Sequence, residues 1–128
     1  MSGKTAGGIQ VHPLEVDGTV VAGVIVADTF ASRLRGLIGR RRLPEALLLR
    51  PANSVHGVGM LLSIDVAVLD AQGTVLATLV LRPFGLTRPR RGAAGVLEAP
   101  LGSFARWGLA AGSTVTVGEE RARAPEDH

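Results

Sequence analysis

Apolar residues along this chain gather in short runs bounded by Gly, Pro, Asn or Asp, and most runs have the length of a strand rather than a helix. Val20 to Val26 is rich in β-branched residues and broken by Gly23, the pattern of a strand with a bulge or a close backbone contact. Further strands are predicted at Ala46 to Arg50, Ser54 to Gly57, Ile64 to Asp70, Val75 to Arg82, Gly95 to Ala99 and Thr114 to Val117. The turn Asp70, Ala71, Gln72, Gly73 joins two of them as a hairpin. Helical spacing occurs twice. After Asp28 or Thr29 as N-cap, Phe30, Leu34, Leu37 and Ile38 share one helical face, and Gly36 and Gly39 weaken that helix before Arg40, Arg41 and Arg42. Leu101 to Trp107 predicts a second short helix, started after Pro100 and stopped at Gly108.

The order of elements is strand-dominated, with too few crossover helices for alternating βα units and no internal repeat. The predicted fold is therefore mainly β: a compact antiparallel β-barrel or sandwich capped by two short helices. Arg82 to Arg91, holding Pro83, Gly85 and Pro89, reads as a long exposed loop. Both chain ends lack periodicity, so the expected organisation is a flexible N-terminal segment at 1–18, one globular domain at 19–118 and a flexible charged tail at 119–128. One domain is also what 128 residues support.

Composition narrows the chemistry. A hydrophobic fraction of 46% excludes a wholly disordered chain, and the absence of Cys excludes a disulfide scaffold, a thiol enzyme and a thiolate metal site. The isoelectric point of about 11.0 invites a nucleic-acid reading, but it follows from using Arg almost exclusively, with Lys4 the single lysine and no Tyr. The four aromatic residues, Phe30, Phe84, Phe104 and Trp107, are too few for base-stacking platforms, so nucleic acid is not the expected partner. No run approaches the roughly 20 apolar residues that span a bilayer, and residues 1–10 lack the apolar run of a secretory signal. A soluble, cytoplasmic protein without a membrane partner is expected, as a monomer or weak homodimer.

Several motifs fail on inspection. Ser2, Gly3, Lys4, Thr5 mimics the end of a phosphate loop but lacks the upstream Gly and a preceding strand. His12, His56 and His128 stand far apart and no carboxylates cluster in a short loop, so no metal or other cofactor is expected. Ser54, Ser63 and Ser103 occur in no nucleophile elbow, and Gly57 with Gly59 is half of a dinucleotide fingerprint.

Three other stretches carry a family resemblance. Ala27, Asp28, Thr29 followed by Arg33 to Arg40 resembles the opening motif of the prokaryotic family called domain of unknown function 192. The run Ser54 to Met60, with Ile64, Asp65, Val66, Leu69, Asp70 and Gly73 after it, is similar to that family's central motif in the branch that carries His. Val96 to Gly102, with Gly108 and then Gly112, Ser113, resembles its last part. The matches run in order from about Ala27 to Val117. They imply a small mainly-β domain of uncharacterised biochemical activity, found alone or after an export signal, which is not expected here. This chain departs from the pattern at Ile38, Gly57, Val58, Leu61 and Ser63, removing a hydroxyl, an aromatic face and a cation from the central segment.

The candidate chemistry centres on that segment. His56, beside Met60 and upstream of Asp65, has the side chain of a general base or of a neutral hydrogen-bonding group; one His without a second partner at a known spacing fits a turn-fixing role better. Asp65 lies in an otherwise apolar strand, where a carboxylate needs an Arg, such as Arg33 or Arg35, or several backbone donors. A structural and a ligand-facing role stay open for it. For Glu98, capping the helix after Pro100 or pairing with an Arg is preferred. Ten Arg between Arg33 and Arg91 face only Glu45, Asp65 and Asp70, a local charge of +7, so Arg40, Arg41, Arg42, Arg88, Arg90 and Arg91 are candidates for an anion-attracting patch; two solvated Arg loops are the simpler alternative. The expected function is a non-enzymatic module that binds a small polar or anionic ligand, or a partner protein, through His56, Asp65, Arg35, Arg33, Glu98 and Met60. The alternative is a small enzyme with His56 as base and Asp65 as its orienter.

Overall fold

A computed structural model describes residues 11–27, 45–52 and 62–119. Its elements are β1 (His12–Val16), β2 (Thr19–Ala27), β3 (Leu47–Leu49), β4 (Ile64–Leu69), β5 (Val75–Leu81), β6 (Gly95–Pro100), α1 (Ser103–Trp107) and β7 (Val115–Val117). The predicted first helix and the predicted strand at Ser54 to Gly57 lie outside the described residues.

The seven strands form one sheet in the order β5-β4-β6-β3-β2-β1-β7. All neighbours are antiparallel except β2 and β3, which run parallel with Ile25 opposite Leu47. A parallel pair needs a long crossover, and residues 28–46 supply the length. The mainly-β fold is as predicted, with this one parallel pair inside it. The sheet curls until its two edges touch at one end: Thr74 bridges Thr114, the Val75 N–H donates to the Ser113 carbonyl at 2.8 Å, and the Val115 N–H donates to the Gly73 carbonyl at 2.8 Å.

Side-chain alternation then sorts the apolar residues into two cores. Leu14, Val24, Leu48, Ala67, Leu97, Phe104 and Val115 meet on the concave side, where α1 also packs. Ile25, Leu47, Leu49, Ile64, Val66, Leu81 and Val96 meet on the convex side. Central strands β4 and β6 are thus buried on both faces, which is why, apart from Asp65 and Glu98, their sequences read as apolar runs rather than alternating ones.

Strand β1 corrects the expectation of a flexible segment up to residue 18. Leu14 and Val16 are buried between β2 and β7, and the turn into β2 has positive φ at both Asp17 (51°) and Gly18 (90°), the two-residue hairpin geometry that Asp-Gly favours. The strand was hidden by its brevity and by Pro13, but Asp17-Gly18 ahead of Val20 was a usable signal. Asp17 also holds the far edge, donating its N–H to the Thr114 carbonyl and accepting the Thr114 N–H on Oδ1, both at 2.8 Å.

The Asp70 to Gly73 hairpin forms as predicted. Asp70 Oδ1 accepts the N–H groups of Gln72 and Thr74 at 2.9 Å, and Gly73 adopts φ 89°, where a Cβ would collide with the Val115 carbonyl. The second predicted helix is shorter than expected, because Leu101 and Gly102 form a turn before it.

Candidate functional site

Asp65 and Glu98, the two acidic candidates within the described residues, lie on neighbouring strands but on opposite faces of the sheet. Asp65 pairs with Ala99 and Val80, and Glu98 pairs with Val66 and Leu47; cross-strand partners share a face, so Asp65 belongs to the concave side and Glu98 to the convex side. Asp65 Oδ2 accepts the N–H groups of Gly102 and Phe104, each at 3.0 Å. A helix leaves its first N–H groups without internal partners, and a carboxylate from β4 here satisfies two donors at the entry to α1. Asp65 therefore caps this helix, while Glu98, for which capping or an Arg partner is the sequence expectation, lies on the other face of the sheet. Backbone donors, one of the two ways the sequence allowed for a carboxylate at position 65, hold Asp65 in place.

Glu98 is fully buried between Leu47 and Val66. A carboxylate in such a setting requires polar company, and Glu98 is not without it. His56, Met60, Arg33, Arg35, Arg40, Arg41 and Arg42 lie outside the described residues. Arg88, Arg90 and Arg91 are exposed in the connection between β5 and β6. That connection runs the length of the sheet, because β5 ends beside Ile64 while β6 begins beside Leu69.

At the Leu69 end the strands leave a cleft that the sequence does not announce. Leu48, Arg50, Leu69, Gly73, Gly95 and Val115 are among the residues lining it, and its volume is about 90 Å³. The Ala94 N–H donates to the Leu69 carbonyl at 2.8 Å, and the Ala52 N–H donates to the Ala94 carbonyl at 3.2 Å, fixing the rim. Arg50 is the one cation in the lining; it is exposed, and among the described residues no carboxylate pairs with it. Asp70 also lines the cleft, but its Oδ1 is taken up by its own turn. Arg90 and Arg91 sit in the turn that leads directly into Ala94, closed by the Ala93 N–H on the Arg90 carbonyl at 3.0 Å. Arg50 was missed in the sequence because it stands alone; only the pairing of β3 with β6 brings it to the same strand ends as the Arg90 turn.

A larger, shallower groove runs along β1 and β2 past Val11, Pro13 and Val21. Its polar side chains are already engaged: Glu45 accepts the Gly23 N–H at 2.6 Å, and His12 Nδ1 meets the Gly118 carbonyl at 3.2 Å. Among the described residues, no group of three or more His, Asp or Glu gathers as a metal site.

A curled mixed sheet with a single described helix and a strand-end cleft defines a small β half-barrel domain. The chain belongs to the domain of unknown function 192 family, described as uncharacterized ACR, whose model matches residues 13–117. It is 34% identical over 110 residues to a UPF0127 protein of Thermococcus sibiricus, covering 80% of this chain and 71% of the relative. It is 34% identical over 84 residues to a UPF0127 protein of Pyrococcus abyssi, covering 62% and 72%. The fold is shared with the crystal structure of a protein of unknown function from Novosphingobium aromaticivorans, at 23% identity and a TM-score of 0.67, covering 88% of this chain and 89% of that one. The family expectation from the sequence holds, and the matched region takes in β1.

Proposed function

We propose that this chain is a non-enzymatic binding module that holds a small anion in the strand-end cleft, with Arg50 as its principal cation. The observation that carries this reading is an Arg without a carboxylate partner among the described residues, set beside a concave opening. Size limits the ligand. A water needs roughly 10–15 Å³ of such space, so a cleft of about 90 Å³ holds a handful of water-sized groups. That suits an inorganic anion or a small carboxylate better than a whole nucleotide.

The guanidinium offers planar, bidentate donors that match phosphate or carboxylate oxygens, and Arg90 and Arg91 add long-range attraction at the rim. Gly73 and Gly95 add backbone to a lining that also holds the side chains of Leu48, Leu69 and Val115. The enzyme reading, with His56 as base and Asp65 as orienter, has less support: Asp65 Oδ2 already serves two backbone N–H groups.

Thermal-shift titration with phosphate, sulfate, citrate and malonate tests the proposal. At least one anion is expected to raise Tm in a saturable way. Arg50→Gln should weaken that response by about tenfold, the loss of one charge-assisted contact, while leaving the unliganded Tm unchanged. Stabilisation that is the same in Arg50→Gln contradicts the assignment.

A further inference from the structure

The opposite end of β4 and β5 carries a second surface. Four of the exposed large apolar residues gather there: Val80 near the end of β5, Phe84 and Leu86 in the connection that follows, and Leu101 just after β6. Ile64 pairs with both Leu81 and Pro100, which brings these stretches to one end of the sheet. Phe84 is 78% exposed and Leu86 is 75% exposed.

Phe84 is held outward by its backbone. The Gly85 N–H donates to the Arg82 carbonyl at 2.7 Å, closing a four-residue turn with Pro83 second and Phe84 third at φ 64°. This is the arrangement of a type II turn, whose third position favours Gly because φ is positive. A bulky side chain in that region is strained, and such outliers concentrate at functional positions. The following Gly85 is required for a separate reason: a Cβ there would stand 2.8 Å from the Arg82 carbonyl oxygen.

Among the described residues, the exposed charges around this turn have one sign. Arg82 and Arg88 flank it, and exposed Arg106 on α1 stands just beyond Leu101. From Arg82 to Leu97 the chain holds no acidic residue, and nearby Asp65 is buried at the helix cap. We infer that this end of the domain docks on an anionic lipid surface, with Phe84 and Leu86 entering the interfacial layer and Arg82, Arg88 and Arg106 facing the headgroups. A lipid surface fits because it accepts protruding apolar tips without a preformed pocket and attracts flanking cations without a fixed geometry. It also needs no membrane-spanning element, and no described helix is long and apolar enough to be one. Such a tip is far shorter than the roughly 20 apolar residues of a spanning run, so the lack of a spanning run does not bear on it.

Vesicle cosedimentation of the full chain tests this, comparing phosphatidylglycerol–phosphatidylcholine vesicles with phosphatidylcholine alone at low and high salt. Binding is expected only to the anionic vesicles and should weaken as salt rises. Phe84→Gly should lower the partition coefficient by about tenfold, through loss of an inserted aromatic side chain. The same change relieves the positive φ, so Tm should not fall; this separates loss of docking from loss of fold. Arg82→Gln should cost roughly fivefold. Equal binding to both vesicle types, no binding to either, or full retention of binding by Phe84→Gly overturns the inference. So does sedimentation showing a dimer that Phe84→Gly dissolves, since the patch would then belong to a second copy of the chain.

Discussion

At the scale of single residues, Asp65 shows how a polar residue in an apolar strand can be structural. Its carboxylate ends two backbone donors at the start of a five-residue helix that has little stability of its own. Asp65→Ala should therefore destabilise the domain by about 2–3 kcal/mol, since it leaves two largely buried N–H groups without a charged acceptor. Denaturant unfolding measures this, and a loss under about 0.5 kcal/mol would contradict the capping role. Gly73 is the sharper backbone case. Gly73→Ala combines positive φ with a collision against the Val115 carbonyl, so a loss above about 2 kcal/mol is expected from the same measurement. A near-neutral result would mean that the contact between hairpin and β7 is loose.

At the scale of elements, most of the sheet was legible because the two core faces write themselves into the sequence. Strands β2, β4, β5 and β6 appear within a residue or two of the predicted bounds, since Gly, Pro and Asp residues punctuate long apolar runs. β1 was not legible: three of its five residues are His, Pro and Glu, and its burial depends on β7 arriving from the other end of the chain. If β1 is integral to the core, Leu14→Ala should cost about 3 kcal/mol. Amide exchange in β1 as fast as in an exposed loop would contradict that. The parallel pairing of β2 with β3 was likewise invisible, because a three-residue run such as Leu47–Leu49 carries no sign of direction. The candidate site was legible only in part. Asp65 and Glu98 stand out in the sequence as carboxylates within apolar runs, and both are buried, but the strand register that sends them to opposite faces is a property of pairing, not of composition.

At the scale of the whole molecule, curling brings the two edges of the sheet together at Thr74 and Thr114 and leaves a small opening beside the closure. Among the described residues, the arginines of the β5–β6 connection fall at two ends, with Arg90 and Arg91 near Arg50 and the cleft, and Arg82 near the Phe84 turn. The cleft end is the proposed anion site. Its most direct test is a two-dimensional amide NMR titration with inorganic phosphate, on the protein and on Arg50→Gln. Saturable shifts confined to Arg50, Gly73, Ala94, Gly95 and Val115, and lost in Arg50→Gln, are the predicted result. Shifts scattered over every arginine loop, or unchanged in Arg50→Gln, would contradict it.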